Sequence, residues 1–362
     1  MYAEKFSDNI KIHLDKLSPA DKDLFDRIYK ISIVDGKLII PSEMEEWVKN
    51  TFGNIDDISC QEIIKINNIV TYEGSIFNVH RTSRPFDAPS QNISIDEILK
   101  HNRNKDFSTP LQSTPSDLFG RIKKNNTITA ANIAKYDSMH SLIIAINENP
   151  LEISEELVKD YCDTAKEWFE SANQQNPDAI YPFFLWNSLW RAGASLIHGH
   201  AQLALTQDMP YAKIDLLRRV SEEYEIEFDS NYFEDDFYIH KKLGLGFVLN
   251  NCNIQMKLTP IKEKEVRITS HEFNDDLIKT IYKILNVMIN HTGVQSFNVA
   301  IYLPPLIETL ERWDHMPVIV QIVDRGYLDN QTSDFGAMEL YGQSVIGTNP
   351  YKTMKDIFTN CL

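Results

Sequence analysis

Apolar residues recur at helical spacing in two long segments of the chain. In the first segment they follow Ser154 and comprise Leu157, Val158, Tyr161, Ala165, Trp168, Phe169 and Ala172. In the second they follow Asn274 and comprise Leu277, Ile278, Ile281, Leu285 and Met288. Serine and asparagine cap helix N-termini, and the acidic residues directly after both caps suit the positive end of a helix dipole. The pattern predicts two long amphipathic helices.

Strand-like segments flank the two predicted helices in the same order. The predicted strands are 141–146, 181–186 and 195–205 around the first helix, and 266–269, 297–303 and 317–323 around the second. A unit of strand, helix, strand, loop and strand therefore occurs twice, which we interpret as an internal structural duplication. The alternative is a chance alternation of elements, which any α+β chain produces.

Composition and charge narrow the class of protein. The chain has 362 residues, 43% of them hydrophobic and 24% charged, which is typical of globular proteins, and at about 150 residues per domain it suggests two domains. Its net charge of −16 repels nucleic acid and anionic lipid, so neither a nucleic acid nor a membrane is an expected partner. The N-terminus lacks the apolar core of a signal peptide and the four cysteines form no CxxC pair, so we expect a reduced, cytoplasmic location.

The densest chemical signal is the segment AGASLIHGHAQL, which begins at residue 192. In an extended strand His198, His200 and Gln202 share one face at a spacing of about 7 Å, while the small and apolar residues between them lie on the other. Gly193 precedes this row and lets the backbone approach a ligand closely, and Ser195 adds a hydroxyl donor. The segment therefore predicts a site on the polar face of a strand.

This row of side chains suits phosphoryl chemistry. A neutral imidazole is a nucleophile near its pKa of about 6.5, and its attack on phosphorus divides one difficult displacement into two easier ones. Gln202 donates a hydrogen bond to a phosphate oxygen but cannot protonate a leaving group, which favours transfer between phosphates over hydrolysis. The alternative use of an HxH pair is metal binding, as in a cupin-like protein with His198 and His200 as ligands.

The segment resembles the active-site strand of the histidine-triad superfamily in its transferase branch, which carries HxHxQ. That branch includes galactose-1-phosphate uridylyltransferase, the nucleoside-diphosphate-sugar phosphorylases and diadenosine tetraphosphate phosphorylase. The resemblance implies that the second histidine, His200, is the nucleophile. The other residues that match the site of this branch are Asn187, Gly193, Ser195, His198 and Gln202.

A second match lies upstream, where NVHRTSRPF over residues 78–86 resembles the His-Arg-x-x-Arg-Pro-aromatic segment of the uridylyltransferases. Two arginines spaced by three and followed by Pro85 make a stiff basic loop that suits phosphate. The resemblance implies that Arg81 and Arg84 face the sugar-phosphate side of the site from the neighbouring subunit. A homodimer with shared sites is therefore the expected assembly.

A third match covers residues 132–140, where NIAKYDSMH resembles an Asn-Lys-aromatic segment with a later histidine beside the site. The resemblance implies that Asn132 belongs to the site and that Lys135 neutralises phosphate. It also implies that His140 lies near His198. A strand end with a surface lysine is the alternative interpretation.

The second half of the chain lacks HxHxQ, because its corresponding strand, over residues 316–326, reads MPVIVQIVDRG. Catalysis is therefore assigned to the first half, and Arg325 either reaches a phosphate or forms a structural ion pair. Zinc-bearing uridylyltransferases have a CxxC shortly after the His-Arg segment, whereas residues 85–92 contain no cysteine. We therefore expect no structural zinc and no other metal or cofactor, and the sugar specificity stays open.

Together these features predict an α+β fold of two tandem histidine-triad-like halves, each an antiparallel sheet with a packed helix. The expected organisation is an N-terminal extension over 1–65, a first half over 66–225 with the active site, and a second half over 226–362. The resemblance implies nucleotidyl transfer from a nucleotide sugar to a sugar phosphate or phosphate through a covalent intermediate on His200. The alternatives are a dinucleoside polyphosphate phosphorylase and a catalytically silent nucleotide-binding protein.

Overall fold

The computed structural model of the chain describes residues 5–83, 94–102, 106–330 and 335–361. Within those residues two sheets carry packed helices, which is the α+β architecture that the sequence predicts. The strands are β1 (Tyr29–Lys37), β2 (Cys60–Asn68), β3 (Gly74–Phe77), β4 (Thr127–Ala131), β5 (Met139–Ala145), β6 (Ala179–Ser188), β7 (His200–Gln207), β8 (Gly246–Leu249), β9 (Cys252–Met256), β10 (Glu263–Ser270), β11 (Phe297–Tyr302), β12 (Val318–Asp324) and β13 (Gln343–Ile346). The helices are α1 (Phe6–Asp15), α2 (Pro19–Ile28), α3 (Glu45–Phe52), α4 (Ile55–Ser59), α5 (Ile95–Asn102), α6 (Pro110–Ser113), α7 (Glu155–Gln175), α8 (Ala212–Phe228), α9 (Tyr232–Lys242), α10 (Asp275–Asn290) and α11 (Pro350–Cys361).

The larger sheet has nine strands in the order β4-β5-β7-β6-β11-β12-β10-β9-β8, all of them antiparallel to their neighbours. The chain passes from β4 and β5 through α7 to β6 and β7. It later passes from β9 and β10 through α10 to β11 and β12. Outward from the central β6–β11 pair, the strands therefore follow the same order on both sides, with β8 added at one edge. The duplication that the sequence predicts is built into this sheet.

Both predicted helices form where the apolar spacing places them, as α7 and α10. The side chains of Ser154 and Asn274 each accept a hydrogen bond from the backbone N–H three residues later, at 3.1 Å in both helices. The two helices contact each other and cover one face of the nine-stranded sheet. On that face the ring of Trp186 in β6 lies 4.8 Å from the ring of Tyr161 in α7.

The strand that carries the histidines starts later than the sequence predicts. The predicted strand covers 195–205, whereas β7 begins at His200 and residues 189–199 form a loop that contains a 3-10 turn over Trp190–Ala192. Gly193 in this loop has a φ of 87°, a left-handed conformation that glycine adopts without strain, and its N–H donates to the carbonyl of Trp190 at 3.0 Å. The turn is closed by the N–H of Ala194, which donates to the carbonyl of Leu189 at 3.1 Å, and the pairing with β5 begins only at His200.

The sheet face opposite α7 and α10 carries polar side chains from both halves. In the register of the sheet, Gln202 of β7 pairs with Leu185 of β6, which pairs with Ala300 of β11. Ala300 pairs with Gln321 of β12, which pairs with Arg267 of β10. Directly opposed residues point to the same face. Gln202 in the first half therefore shares a face with Gln321 and Arg267 in the second.

The smaller sheet joins the two ends of the chain. Its order is β1-β2-β3-β13, and β13 pairs with β3 in parallel. The Ser75 hydroxyl on β3 donates to the carbonyl of Pro260 at 2.7 Å, and Glu73, directly before β3, reaches the second half. The smaller sheet therefore packs against the polar face of the second half of the larger sheet.

Glu73 is the centre of a buried ionic cluster on that face. Its carboxylate oxygens lie 2.8 Å from Nζ of Lys213, 2.6 Å from Nζ of Lys257 and 3.9 Å from Nη2 of Arg267. Burial by itself raises the pKa of Glu73, but the three cations outweigh burial and hold this pKa well below its ordinary range. The carboxylate is therefore ionised, and it connects the smaller sheet to the second half of the larger sheet.

Candidate active site

His200 opens β7 and is oriented by its own backbone. Its Nδ1 lies 2.8 Å from the carbonyl oxygen of His198, and because a carbonyl only accepts, Nδ1 carries the proton and Nε2 keeps its lone pair. The residue is 5% exposed, and burial lowers the pKa of the imidazole. A neutral imidazole with an unprotonated Nε2 is the form that attacks phosphorus.

His198 lies just before β7 and faces the same space. Its Nε2 donates to the carbonyl of Ala145 at 2.7 Å, and burial lowers the pKa of this imidazole as well. The ring of Phe107 lies edge-on to both imidazoles, with centroid distances of 6.0 Å to His198 and 5.2 Å to His200. The two histidines therefore share one side, as the sequence predicts, although His198 is outside the strand.

His140 determines how the side chain of Gln202 is oriented. It binds the amide oxygen of Gln202, so the amide nitrogen points away from His140. The N–H of Tyr136 donates to Nδ1 of His140 at 2.8 Å, so the ring proton is on Nε2. That Nε2 lies 3.1 Å from Oε1 of Gln202 and donates to it. Across the described ranges, Nε2 of Gln202 has no hydrogen-bond partner. Both of its protons are therefore available to a phosphate oxygen.

The position of His140 differs from the sequence-based expectation that it lies near His198. The register between β5 and β7 places His140 opposite Ala204 and places Ile144 opposite His200. His140 is therefore four residues away from His200 along the sheet, at the far side of Gln202. The register between two strands is set by tertiary packing, so it cannot be inferred from a short sequence match.

Asn132 and Lys135 surround His140 at the edge of the site. Nζ of Lys135 donates to the carbonyl of His140 at 2.8 Å. Nδ2 of Asn132 lies 3.2 Å from Nε2 of His140, but both nitrogens carry protons, so this contact is not a hydrogen bond. The ring of Tyr136 stacks on His140 with centroids 4.4 Å apart. The contacts fix the ring of His140, and phosphate binding by Lys135 stays a prediction.

The loop between β6 and β7 forms another wall of the site. Oδ1 of Asn187 accepts a hydrogen bond from Nδ2 of Asn298 at 2.7 Å. A β-carbon placed on Gly193 would lie 4.0 Å from Nδ2 of Asn187, so this amide nitrogen faces the loop. Ser195 is exposed, and its hydroxyl has no partner in the part of the chain that the structure describes. The three sequence-predicted residues Asn187, Gly193 and Ser195 thus lie in or beside one loop.

Sequence reasoning missed Asn298, which connects the second half to this loop. Besides Asn187, its Nδ2 also donates to the carbonyl of Ala192 at 2.8 Å. Arg325, for which the sequence suggests a phosphate or an ion pair, donates from Nη1 to Oδ1 of Asn298. A single amide in the otherwise apolar strand sequence FNVAIY is the signal that marks Asn298.

The structure describes only one of the two arginines of the upstream match. Arg81 is exposed in a 3-10 helix over Val79–Ser83, and its N–H donates to the carbonyl of Asn78 at 3.1 Å. Arg84 lies outside the described residues. The role of both side chains therefore stays a prediction.

Next to His200 the same sheet face is apolar. A separate cluster of buried and half-buried side chains forms it: Phe107, Ile128, Ala130, Leu142, Ile144 and Leu196. Ligand sites commonly pair an apolar wall with a few polar groups, and such a wall suits a flat aromatic ring. Sequence reasoning also missed this wall, because its members come from four separate segments.

Metal-type clusters and membrane-spanning helices are both absent from residues 5–83, 94–102, 106–330 and 335–361. No three or more His, Cys, Asp or Glu side chains there lie close enough together to hold a metal ion. None of the described helices combines the length and the apolar character needed to cross a membrane.

No protein-family model and no curated protein matches the sequence. Solved structures do match. An ADP-glucose phosphorylase from Arabidopsis thaliana with bound ADP-glucose has a TM-score of 0.59 at 18% identity, covering 80% of this chain and 95% of that one. A GalT-like protein from Arabidopsis thaliana has a TM-score of 0.56 at 17% identity, covering 80% and 96%. A uridylyltransferase has a TM-score of 0.55 at 14% identity, covering 68% and 88%. The chain therefore has the histidine-triad-like fold that the sequence predicts.

Proposed function

We propose that this protein is a nucleotidyltransferase that moves a nucleoside monophosphate from a nucleotide sugar to phosphate or a sugar phosphate through His200. The observation that carries the proposal is the unprotonated Nε2 of His200, which shares a sheet face with the amide donors of Gln202 and Asn187. Amide N–H groups bind phosphate oxygens without giving up a proton. The similar phosphorylase that holds ADP-glucose supports this class of substrate.

The proposed reaction has two balanced steps. The lone pair of Nε2 of His200 forms a bond to the α-phosphorus of the nucleotide sugar, and the bond from that phosphorus to the bridging oxygen breaks. The sugar phosphate leaves with the electron pair. In the second step an oxygen of phosphate or of a sugar phosphate attacks the same phosphorus, the phosphorus–nitrogen bond breaks, and its electron pair returns to Nε2.

A labelling screen tests this function. The purified protein is incubated with ADP-glucose, UDP-glucose or diadenosine tetraphosphate, each labelled in the phosphates next to the nucleosides. We expect an acid-labile, alkali-stable adduct from a nucleotide sugar, and its release when phosphate or glucose 1-phosphate is added. An adduct from diadenosine tetraphosphate alone indicates the dinucleoside polyphosphate phosphorylase instead. Binding without an adduct or isotope exchange indicates a silent nucleotide-binding protein.

Replacing Gln202 with histidine is expected to move product from transfer towards hydrolysis. The amide nitrogen of Gln202 is free to face the leaving group, and an imidazole at this position becomes a donor of protons once it is protonated. An imidazolium donates a proton where an amide does not, so the ratio of hydrolysis to transfer rises by roughly 10- to 100-fold. Gln207→His, at the exposed end of the same strand, is the matched control. Retained activity with an unchanged product ratio contradicts this role.

We also propose a homodimer in which Arg81 and Arg84 serve the partner's site. Cationic side chains beside the site are needed because the chain has a net charge of −16, which repels an anionic substrate. Changing either arginine to alanine is expected to weaken phosphate recognition by about 1.5–3 kcal/mol. Mixed dimers of a His200→Ala chain and an Arg84→Ala chain are expected to regain activity, because one hybrid site holds both groups. Verified mixed dimers without any recovery contradict sharing.

A further inference from the structure

Asn298 is fully hydrogen-bonded between the two halves of the larger sheet. Its Nδ2 donates one proton to Oδ1 of Asn187 at 2.7 Å and the other to the carbonyl of Ala192 at 2.8 Å. Its Oδ1 accepts from Nη1 of Arg325. Because both N–H groups and the oxygen have partners of the opposite kind, the amide has one favourable orientation.

The orientation of Asn298 decides the orientation of Asn187. A donor at Nδ2 of Asn298 pairs with the oxygen of Asn187, so the NH₂ group of Asn187 turns to Gly193, where a β-carbon would lie 4.0 Å from it. If the amide of Asn187 were flipped, its NH₂ group would face the NH₂ group of Asn298. His140 acts on Gln202 in the same way, because its Nε2–H holds the amide oxygen and leaves the NH₂ group available.

We infer that Asn298, held by Arg325, is a positioning residue that makes Asn187 a hydrogen-bond donor to the phosphate of the substrate; this inference rests on the proposed function. It gives the second half of the sheet a part in the site, although that half lacks HxHxQ. Asn298 also holds the carbonyl of Ala192, the residue directly before Gly193. Asn298 acts through Asn187 and the loop, without a contact of its own to the phosphate.

Asn298→Asp tests this inference because it keeps the size of the side chain and replaces its NH₂ donor with an oxygen that only accepts hydrogen bonds. One carboxylate oxygen still accepts from Arg325, but the other faces Oδ1 of Asn187 and the carbonyl of Ala192. Asn187 relieves the repulsion by turning its NH₂ group to the carboxylate, and its oxygen then faces the loop. A phosphate meets an acceptor in place of a donor, so we expect the Kd for ADP and for UDP to rise about 10- to 100-fold.

The first measurement follows the side-chain amide protons of Asn187 in the protein without ligand. Their ¹⁵N-edited signals are assigned by their loss in Asn187→Ala. In the wild type these protons have no partner among the described residues, so we expect them to exchange rapidly with water. In Asn298→Asp the carboxylate binds them, and we expect slower exchange. This measurement needs no substrate.

The second measurement is a double-mutant cycle on the Kd for ADP and UDP by calorimetry. Asn187→Ala removes the donor itself. If Asn298 acts only through Asn187, adding Asn298→Asp to Asn187→Ala causes no further loss of nucleotide affinity. Asn290→Asp, exposed at the end of α10, is the matched control for the added charge, and it leaves the Kd within about twofold. A structural role alone gives additive losses and a lower melting temperature instead.

Each outcome decides a different part of the inference. Unchanged exchange of the Asn187 protons in Asn298→Asp overturns it, whatever the nucleotide affinities are. Additive losses in the double mutant overturn the action through Asn187. A wild type that binds neither ADP nor UDP overturns the proposed function, while the exchange measurement still decides whether Asn298 orients Asn187. If Asn298→Asp does not fold, Asn298→Ser replaces it, because a hydroxyl cannot hold both acceptors.

Discussion

Replacing His200 with alanine is expected to abolish covalent labelling by a nucleotide sugar and to lower turnover by roughly 10⁴-fold or more. Nε2 of His200 is the nucleophile of the first step, and its loss removes the intermediate. His198 does not replace it, because its Nε2 carries a proton that is donated to the carbonyl of Ala145. The measurement is the amount of labelled adduct per chain, together with the turnover rate.

Two further variants of the histidines make this test specific. His200→Asn keeps a donor for the carbonyl of His198 and lacks the nucleophile, so it is expected to fold and to remain unlabelled. His271→Ala removes an exposed histidine and is expected to label fully. Because burial lowers the pKa of His200, the labelling rate of the wild type is expected to stay constant as the pH falls through about 6.5 and to decline only below it. Full labelling of His200→Ala contradicts the assignment.

The sequence predicts the parts of this molecule that depend on local periodicity. The helical spacing of apolar residues and the caps Ser154 and Asn274 are enough to place α7 and α10. The period of two along a strand is enough to place His200 and Gln202 on one face. The start of β7 at His200 escapes this reasoning, because apolar and small residues at 194–199 are equally compatible with a loop.

Contacts between distant segments are what the sequence does not report. The offset between β5 and β7, which brings His140 to Gln202, is a property of the packed sheet. Asn298 and Asn187 are 111 residues apart, and Lys257 lies 184 residues from the carboxylate that it binds. No spacing rule connects such positions, so the partners of a side chain become visible only in the fold.

Replacing Glu73 with alanine is expected to lower the free energy of unfolding by about 3–5 kcal/mol. The change leaves Lys257 and Arg267, each 1% exposed, without the anion that they share. Glu265 compensates only in part, because its oxygen lies 3.8 Å from Nζ of Lys257 and burial raises the pKa of its carboxyl group. Lys213 loses less, since 35% of its side chain is exposed and water solvates it.

Urea denaturation of each variant measures this loss. Glu223→Ala, which removes an exposed carboxylate from α8, is the matched control and is expected to change the free energy of unfolding by less than about 0.5 kcal/mol. Glu73→Gln keeps the shape of the side chain and removes its charge. It is expected to fall between the wild type and Glu73→Ala, because the amide oxygen still accepts from one lysine.

The space left in Glu73→Ala has the chemistry of a carboxylate site. Lys257 and Lys213 point their Nζ atoms at it, and Nε and Nη2 of Arg267 are buried and have no hydrogen-bond partner in the described structure. Formate is therefore expected to restore part of the lost stability by binding the folded variant, more than sodium chloride at the same ionic strength. The face of the larger sheet that carries the candidate site on the first half is thus occupied, on the second half, by the carboxylate of Glu73. Equal effects of formate on the wild type and on Glu73→Ala contradict this argument.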